Sequence, residues 1–283
     1  MSFYFLFSIF YFLLGLAVGS FLNSVIYRLH SGESFLKGFS HCPHCKHRLD
    51  WKDLIPLLSF IILKGKCRYC HQKISFQYPL VELTTGILFL FPFLFPHLYL
   101  TSDRLLNMNE LLFYWVSSCF LIIIFVYDLK HYIIPDKIIY PAIVITFLYQ
   151  FLKSLEFENW NLFGIWDLPA CAGGEFGILK PILSALFASV FFLMIVIFSR
   201  GKWMGMGDVK LAFFMGLFLG FPNILAALFL AFFIGAIIGL GLIISGKKKL
   251  SSEVPFGPFL VSGTFLALFL GQDIIDWYIN IFL

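Results

Sequence analysis

Two aspartates carry the most expensive chemistry in this chain. Asp208 lies in MGMGDVK, residues 204–210, and Asp128 in FVYDLKHYIIPDKII, residues 125–139. Both stand at the ends of long apolar runs, where a charge near hydrocarbon points to function. Two carboxylates brought within a few ångströms cannot both ionise readily, so the pair holds one proton between them. The ionised member then serves as general base on a water, while the protonated one polarises a peptide carbonyl. That is aspartic-protease chemistry. Gly205 and Gly207 lack Cβ atoms, which frees the backbone and lets a substrate chain approach closely. Lys210 is expected to anchor the helix end or bias the pair's protonation. The plainer reading makes Asp208 and Lys210 a polar loop end, with Asp128 paired to Lys130 or Lys137. Asp136 follows Pro135 and has a sufficient role as the N-cap of the next helix.

A second constellation lies in HCPHCKHRLD, residues 41–50, and KCRYCHQK, residues 66–73. Cys42, Cys45, Cys67 and Cys70 form two C-x2-C pairs, and four thiolates so arranged suit tetrahedral Zn²⁺. The spacing between the pairs is slightly longer than in common zinc ribbons. A redox pair is the rival reading, but two such pairs in one basic loop favour zinc. His41, His44, His47 and His71 flank the cysteines and are expected mostly at the solvated surface. Cys119 lies in an apolar run as a small hydrophobe, and Cys171 has no evident partner.

The elements that must position these groups are membrane spans. The 283 residues are 60% hydrophobic and 13% charged, which excludes an ordinary soluble domain. Eight apolar segments approach the ~20 residues needed to span the hydrocarbon. They are 3–27, 79–100, 110–127, 138–153, 179–199, 209–221, 224–246 and 255–279. The sixth is the shortest, and the first reads as a retained span because it lacks a basic start and a cleavage site. The run LIPLLSFIIL, residues 54–63, is too short to cross and suits an interfacial or re-entrant piece.

With the N-terminus outside, all but Arg104, Lys153 and Lys180 of the 20 Lys and Arg face the cytoplasm, as the positive-inside rule requires. Asp128 and Asp208 then share one depth on the cytoplasmic side. The expected architecture is an all-α polytopic membrane protein with about eight transmembrane helices and a small cytoplasmic zinc-binding insertion. Its parts are a first helix over 1–27, a four-cysteine loop over 28–78 and a peptidase bundle over 79–283. Metal binding would supply folding free energy that so small a loop lacks. The net charge of +4 is modest, and the lipid bilayer rather than nucleic acid is the expected partner.

The chain resembles the bacterial prepilin peptidases, also called type IV leader peptidases. The residues that carry the resemblance are GSFLNSVIYRL (19–29), the CPHC and CRYC pairs, YPLVELTTG (78–86), DLKHYIIPD (128–136), GMGDVK (205–210) and PFGPFL (255–260), in the family's order. GxGD alone is less specific, being shared with presenilin-type proteases. One departure is Leu29-His30 after Arg28, where members often carry a proline. The resemblance implies that Asp128 and Asp208 are the catalytic dyad. It implies prepilin and pseudopilin substrates, cut after a glycine at the cytoplasmic face of the bacterial inner membrane. It also implies methylation of the new N-terminus by S-adenosylmethionine. The sequence holds no Gly-rich nucleotide loop, so the cofactor site is unassigned. Asn23 and Glu82 are polar candidates near it, with helix–helix hydrogen bonding as their plainer role.

Two other readings stand beside the bifunctional enzyme. One is a peptidase alone, its zinc loop a platform for the leader. The other is a transporter whose carboxylates relay protons, though such groups usually lie near the midplane of repeated halves.

Overall fold

Within a bilayer every backbone N–H and C=O must find its partner inside the segment, so apolar runs of spanning length become helices. The computed structural model describes residues 2–34, 38–94, 108–156, 178–246 and 254–282. Cys171 and Arg104 lie outside the described residues. In chain order the helices are α1 (Ser2–Ser31), α2 (Leu58–Ile62), α3 (Gln77–Leu94), α4 (Met108–His131) and α5 (Asp136–Glu156). They continue with α6 (Leu179–Ser199), α7 (Met206–Leu219), α8 (Asn223–Ile244) and α9 (Gly257–Phe282). Among the described residues there is no strand, only two isolated bridges in the cysteine insertion. The all-α polytopic architecture holds, with seven helices among the described residues long and apolar enough to cross a membrane.

The sixth apolar segment differs from a full span. It folds as α7, whose 14 residues extend about 21 Å at 1.5 Å per residue. The 54–63 run likewise forms only the five-residue α2.

The chain divides into two compact units, Met1–Ile123 and Ile124–Leu283, with the boundary inside α4. In the first, α1 lies against α3 through small residues. A Cβ on Gly15 would stand 2.8 Å from the Gly86 Cα, and one on Gly19 2.7 Å from the Glu82 Cα. With little hydrophobic gain from helix pairing in lipid, close backbone approach through small residues is what holds such a pair. The start of α4 joins them: Trp115 stacks on Phe89 at 4.8 Å, and the Tyr114 hydroxyl donates to the Leu88 carbonyl at 3.0 Å.

In the second unit α7 is the core. It packs against α5, α6, α8 and α9, and Leu211, Ala212, Phe214, Met215 and Leu217 are fully buried. Gly216 lets it press onto the Ala185 backbone of α6. A helix enclosed on every side needs no polar face, and α7 has none beyond its first turn.

Candidate active site and metal centre

Asp128 occupies the last turn of α4. Its carboxylate is buried, at 4% exposure, and accepts a hydrogen bond from the backbone N–H of Gly257, the first residue of α9. A Cβ at Gly257 would stand 2.5 Å from Asp128 Oδ2, closer than real atoms allow, so this glycine makes room for the carboxylate. Beyond Asp128 the chain turns sharply. The Tyr132 N–H donates to the Asp128 carbonyl at 2.9 Å, with Tyr132 in the left-handed region at φ 58°. Asp136 then opens α5.

Asp208 lies in the first turn of α7 and is half-buried. Its Oδ2 accepts the Gly205 N–H at 3.3 Å, satisfying a donor that a helix start leaves open. The charge of Asp128 acts on Asp208, so the fold brings together two carboxylates that are eighty positions apart in sequence. Around them, Lys210 Nζ bonds Asp136 Oδ1 at 2.6 Å and lies 4.8 Å from the Tyr140 ring centre. The side chain of Asp136, expected as a helix cap, is thus engaged in an ion pair between the starts of α5 and α7. Lys210 thus links the start of α7 to the start of α5.

The glycines before Asp208 divide in their roles. Gly207 faces Ile134 of the α4–α5 turn, where a Cβ would approach the Ile134 Cβ at 3.1 Å. Gly205 is extended at φ −89°, ψ 161°, a conformation open to any residue, so the expected conformational need is not found there. A Cβ on it would meet nothing closer than 3.9 Å, and the space beside it is open.

In the insertion, Cys42, Cys45, Cys67 and Cys70 bring their sulfurs within 4.8 Å of one another. The Cys42 and Cys70 sulfurs are 3.9 Å apart, near the roughly 3.8 Å edge of a tetrahedron with 2.3 Å metal–sulfur bonds. The two pairs repeat one local fold. The Cys42 N–H donates to the His47 carbonyl at 3.0 Å, and the Cys67 N–H to the Gln72 carbonyl at 2.9 Å. Lys46 and His71, each four residues after the first cysteine, share φ near +58° and +57°. The bridges His41–Arg48 and Lys66–Lys73 close the two loops. Sequence comparison of the pairs misses this repeat because backbone geometry, not side-chain identity, is what recurs.

The Gln72 backbone N–H lowers the Cys70 pKa, but burial and the other three thiols outweigh it and push the thiol up to about 11. A divalent cation among the sulfurs reverses that balance, since a coordinating thiol loses its proton outright. The donor set therefore fits a metal ion. The histidines stay out of this cluster: His47 stacks on Tyr69 at 3.6 Å, and His41 meets the Tyr27 ring edge-on. Arg68 Nε binds Asp53 Oδ1 at 2.7 Å, tying the second pair to the 3-10 turn at Trp51–Asp53.

Asn23 and Glu82 belong to a different network. Asn23 Nδ2 donates to the Tyr78 carbonyl at 3.0 Å, and Glu82 Oε2 accepts the Leu57 N–H at 2.8 Å. Ser20 also bonds Glu82. These contacts give Asn23 and Glu82 the helix-bridging role named as their plainer reading.

The fold and these clusters describe a multi-pass helical membrane protein with two neighbouring carboxylates and four clustered thiols that could hold a metal ion. Residues 13–95 match the Bacterial Peptidase A24 N-terminal domain and residues 115–240 the Type IV leader peptidase family. The chain belongs to the type IV leader peptidase family. It is 31% identical to a prepilin leader peptidase/N-methyltransferase of Bacillus subtilis, over 95% of this chain and 96% of that protein. It is 32% identical to the protein of that name from Legionella pneumophila, over 95% and 93%, and 30% identical to that from Aeromonas hydrophila, over 96% and 93%. No solved structure matches the chain.

Proposed function

We propose that this protein is an aspartic endopeptidase of the inner membrane that removes the short basic leader of prepilins and pseudopilins, and that it also methylates the new N-terminus. The observation that supports the proposal is that Asp128, buried in the last turn of α4, lies near enough to the first turn of α7 for its charge to act on Asp208. The pair holds one proton. The ionised carboxylate takes a proton from water as the oxygen attacks the carbonyl carbon of the glycine before the cut. The protonated carboxylate donates to the carbonyl oxygen, giving a neutral gem-diol. Collapse breaks the C–N bond, returns a proton to the leaving amine and restores the pair. The open space beside Gly205 suits a substrate backbone.

The substrate helix lies in the bilayer and delivers its leader to the dyad from the cytoplasmic side. The distribution of basic residues supports that orientation, with the N-terminus outside. Zn²⁺ is the metal for the four cysteines, in a closed structural site. S-adenosylmethionine is the methyl donor, as the relatives' name implies.

The test is mass spectrometry of a prepilin incubated with purified protein and S-adenosylmethionine, with Asp208→Asn as control. A truncated product carrying one added methyl is expected. Truncation without a methyl leaves the peptidase alone, and no truncation of a genuine prepilin overturns the proposal.

A further inference from the structure

A carboxylate inside an apolar helix is costly unless something holds it. Glu82 is such a group: it lies five residues past the start of α3 and is 8% exposed. Its Oε2 accepts the N–H of Leu57, the residue that opens α2, at 2.8 Å. Leu57 has φ 58° and ψ −48°, a strained conformation for a branched residue that persists only when its surroundings enforce it. The dyad chemistry leaves this contact unused.

The contact also fixes depth. α3 counts as a candidate span from Gln77 onward, and five residues of helix advance about 7.5 Å. The Glu82 side chain leans back toward the helix start, so Leu57 is held level with the first turns of α3. From there α2 presents Leu58, Ile61 and Ile62, at positions i, i+3 and i+4 on one face, and all three are exposed. Its opposite face is occupied, because Phe60 packs on Phe76 with ring centres 5.5 Å apart and closes over Gly65. Exposed Lys64 and Lys66 follow directly.

We propose that α2 is a lipid-facing anchor. Leu58, Ile61 and Ile62 occupy the boundary between acyl chains and headgroups, Lys64 and Lys66 meet lipid phosphates, and Glu82 is the clamp that keeps the element at that depth. Apolar residues on one side with lysines beside them are the pattern of an interfacial helix. The consequence is that the metal-holding insertion is fastened against the membrane at its middle as well as at its two ends.

A benzophenone amino acid placed at Ile61 tests this in the full-length protein, reconstituted in nanodiscs of phosphatidylethanolamine and phosphatidylglycerol. Leu80, exposed in the first turn of α3, is the lipid-facing control, and His44, exposed between the first two cysteines, is the aqueous control. After irradiation, mass spectrometry should find lipid adducts at Ile61 matching those at Leu80 and absent from His44. No lipid adduct at Ile61, or a crosslink there to a second copy of the chain, overturns the proposal. Adding Glu82→Leu should abolish the Ile61 adduct while the Leu80 adduct persists, and Glu82→Gln, which keeps a carbonyl acceptor, should retain both. An Ile61 adduct undiminished by Glu82→Leu overturns the clamp. Loss of the adduct in Glu82→Gln does the same.

Discussion

At Asp128 the protein accepts a buried carboxylate and meets it with a backbone N–H. Gly257 supplies both the N–H and the space. Replacing either Asp128 or Asp208 by Asn keeps the shape and removes the proton exchange. Prepilin cleavage should fall by at least about a thousandfold, some 4 kcal/mol of barrier, in protein that still inserts; near-wild-type cleavage by either variant would remove the dyad. Gly257→Ala makes a subtler case. The added Cβ must displace Asp128, so kcat should drop by about tenfold or more, roughly 1.4 kcal/mol, with little change in KM. Gly205→Ala should do the opposite, raising KM while leaving the fold intact, because its Cβ enters space meant for substrate. Steady-state kinetics on one prepilin separates the two.

At the level of the element, the starts of α5 and α7 are joined by the Asp136–Lys210 contact. An ion pair with Asp136 this exposed contributes little to stability, about 0–1 kcal/mol. It does join the turn that follows Asp128 to the helix that carries Asp208. Lys210→Met and Asp136→Asn should therefore each slow cleavage with only a small change in thermal stability. The double variant should be no slower than the worse single one, since both remove the same contact; additive losses would show that the two residues act separately. Sequence reasoning reached the long helices readily, because a run such as residues 179–199 admits no other structure in a bilayer. It also singled out the four cysteines that the structure gathers and the two aspartates whose charges interact. It missed Gly257, since a glycine opening a helix says nothing of a carboxylate that meets it from another part of the chain. It assigned Asp136 to its own helix end because local hydrogen bonds are visible in sequence and a contact across seventy-four positions is not.

For the whole molecule, the metal centre and the dyad pose separate questions of stability and chemistry. Four thiols crowded together resist losing their protons unless a cation joins them. Replacing Cys42 and Cys45 with Ser should therefore release bound zinc, measured by elemental mass spectrometry, and leave the insertion open to proteolysis. Unchanged zinc content in that variant would show that the metal lies elsewhere. The spans of both units should persist, because their backbone bonds are met within each helix.

The brevity of α7 sets a condition on the lipid itself. A helix of about 21 Å falls some 9 Å short of a 30 Å hydrocarbon layer. Helices α5, α6, α8 and α9 enclose it, so lipid meets these longer helices and acts on α7 through them. Lengthening the acyl chains of the surrounding lipid would tilt or stretch those enclosing helices and so disturb the ends of α4 and α7 that carry Asp128 and Asp208. Cleavage measured in vesicles of increasing chain length should slow as the membrane thickens, making this a protease whose rate is partly written in the thickness of the membrane around it.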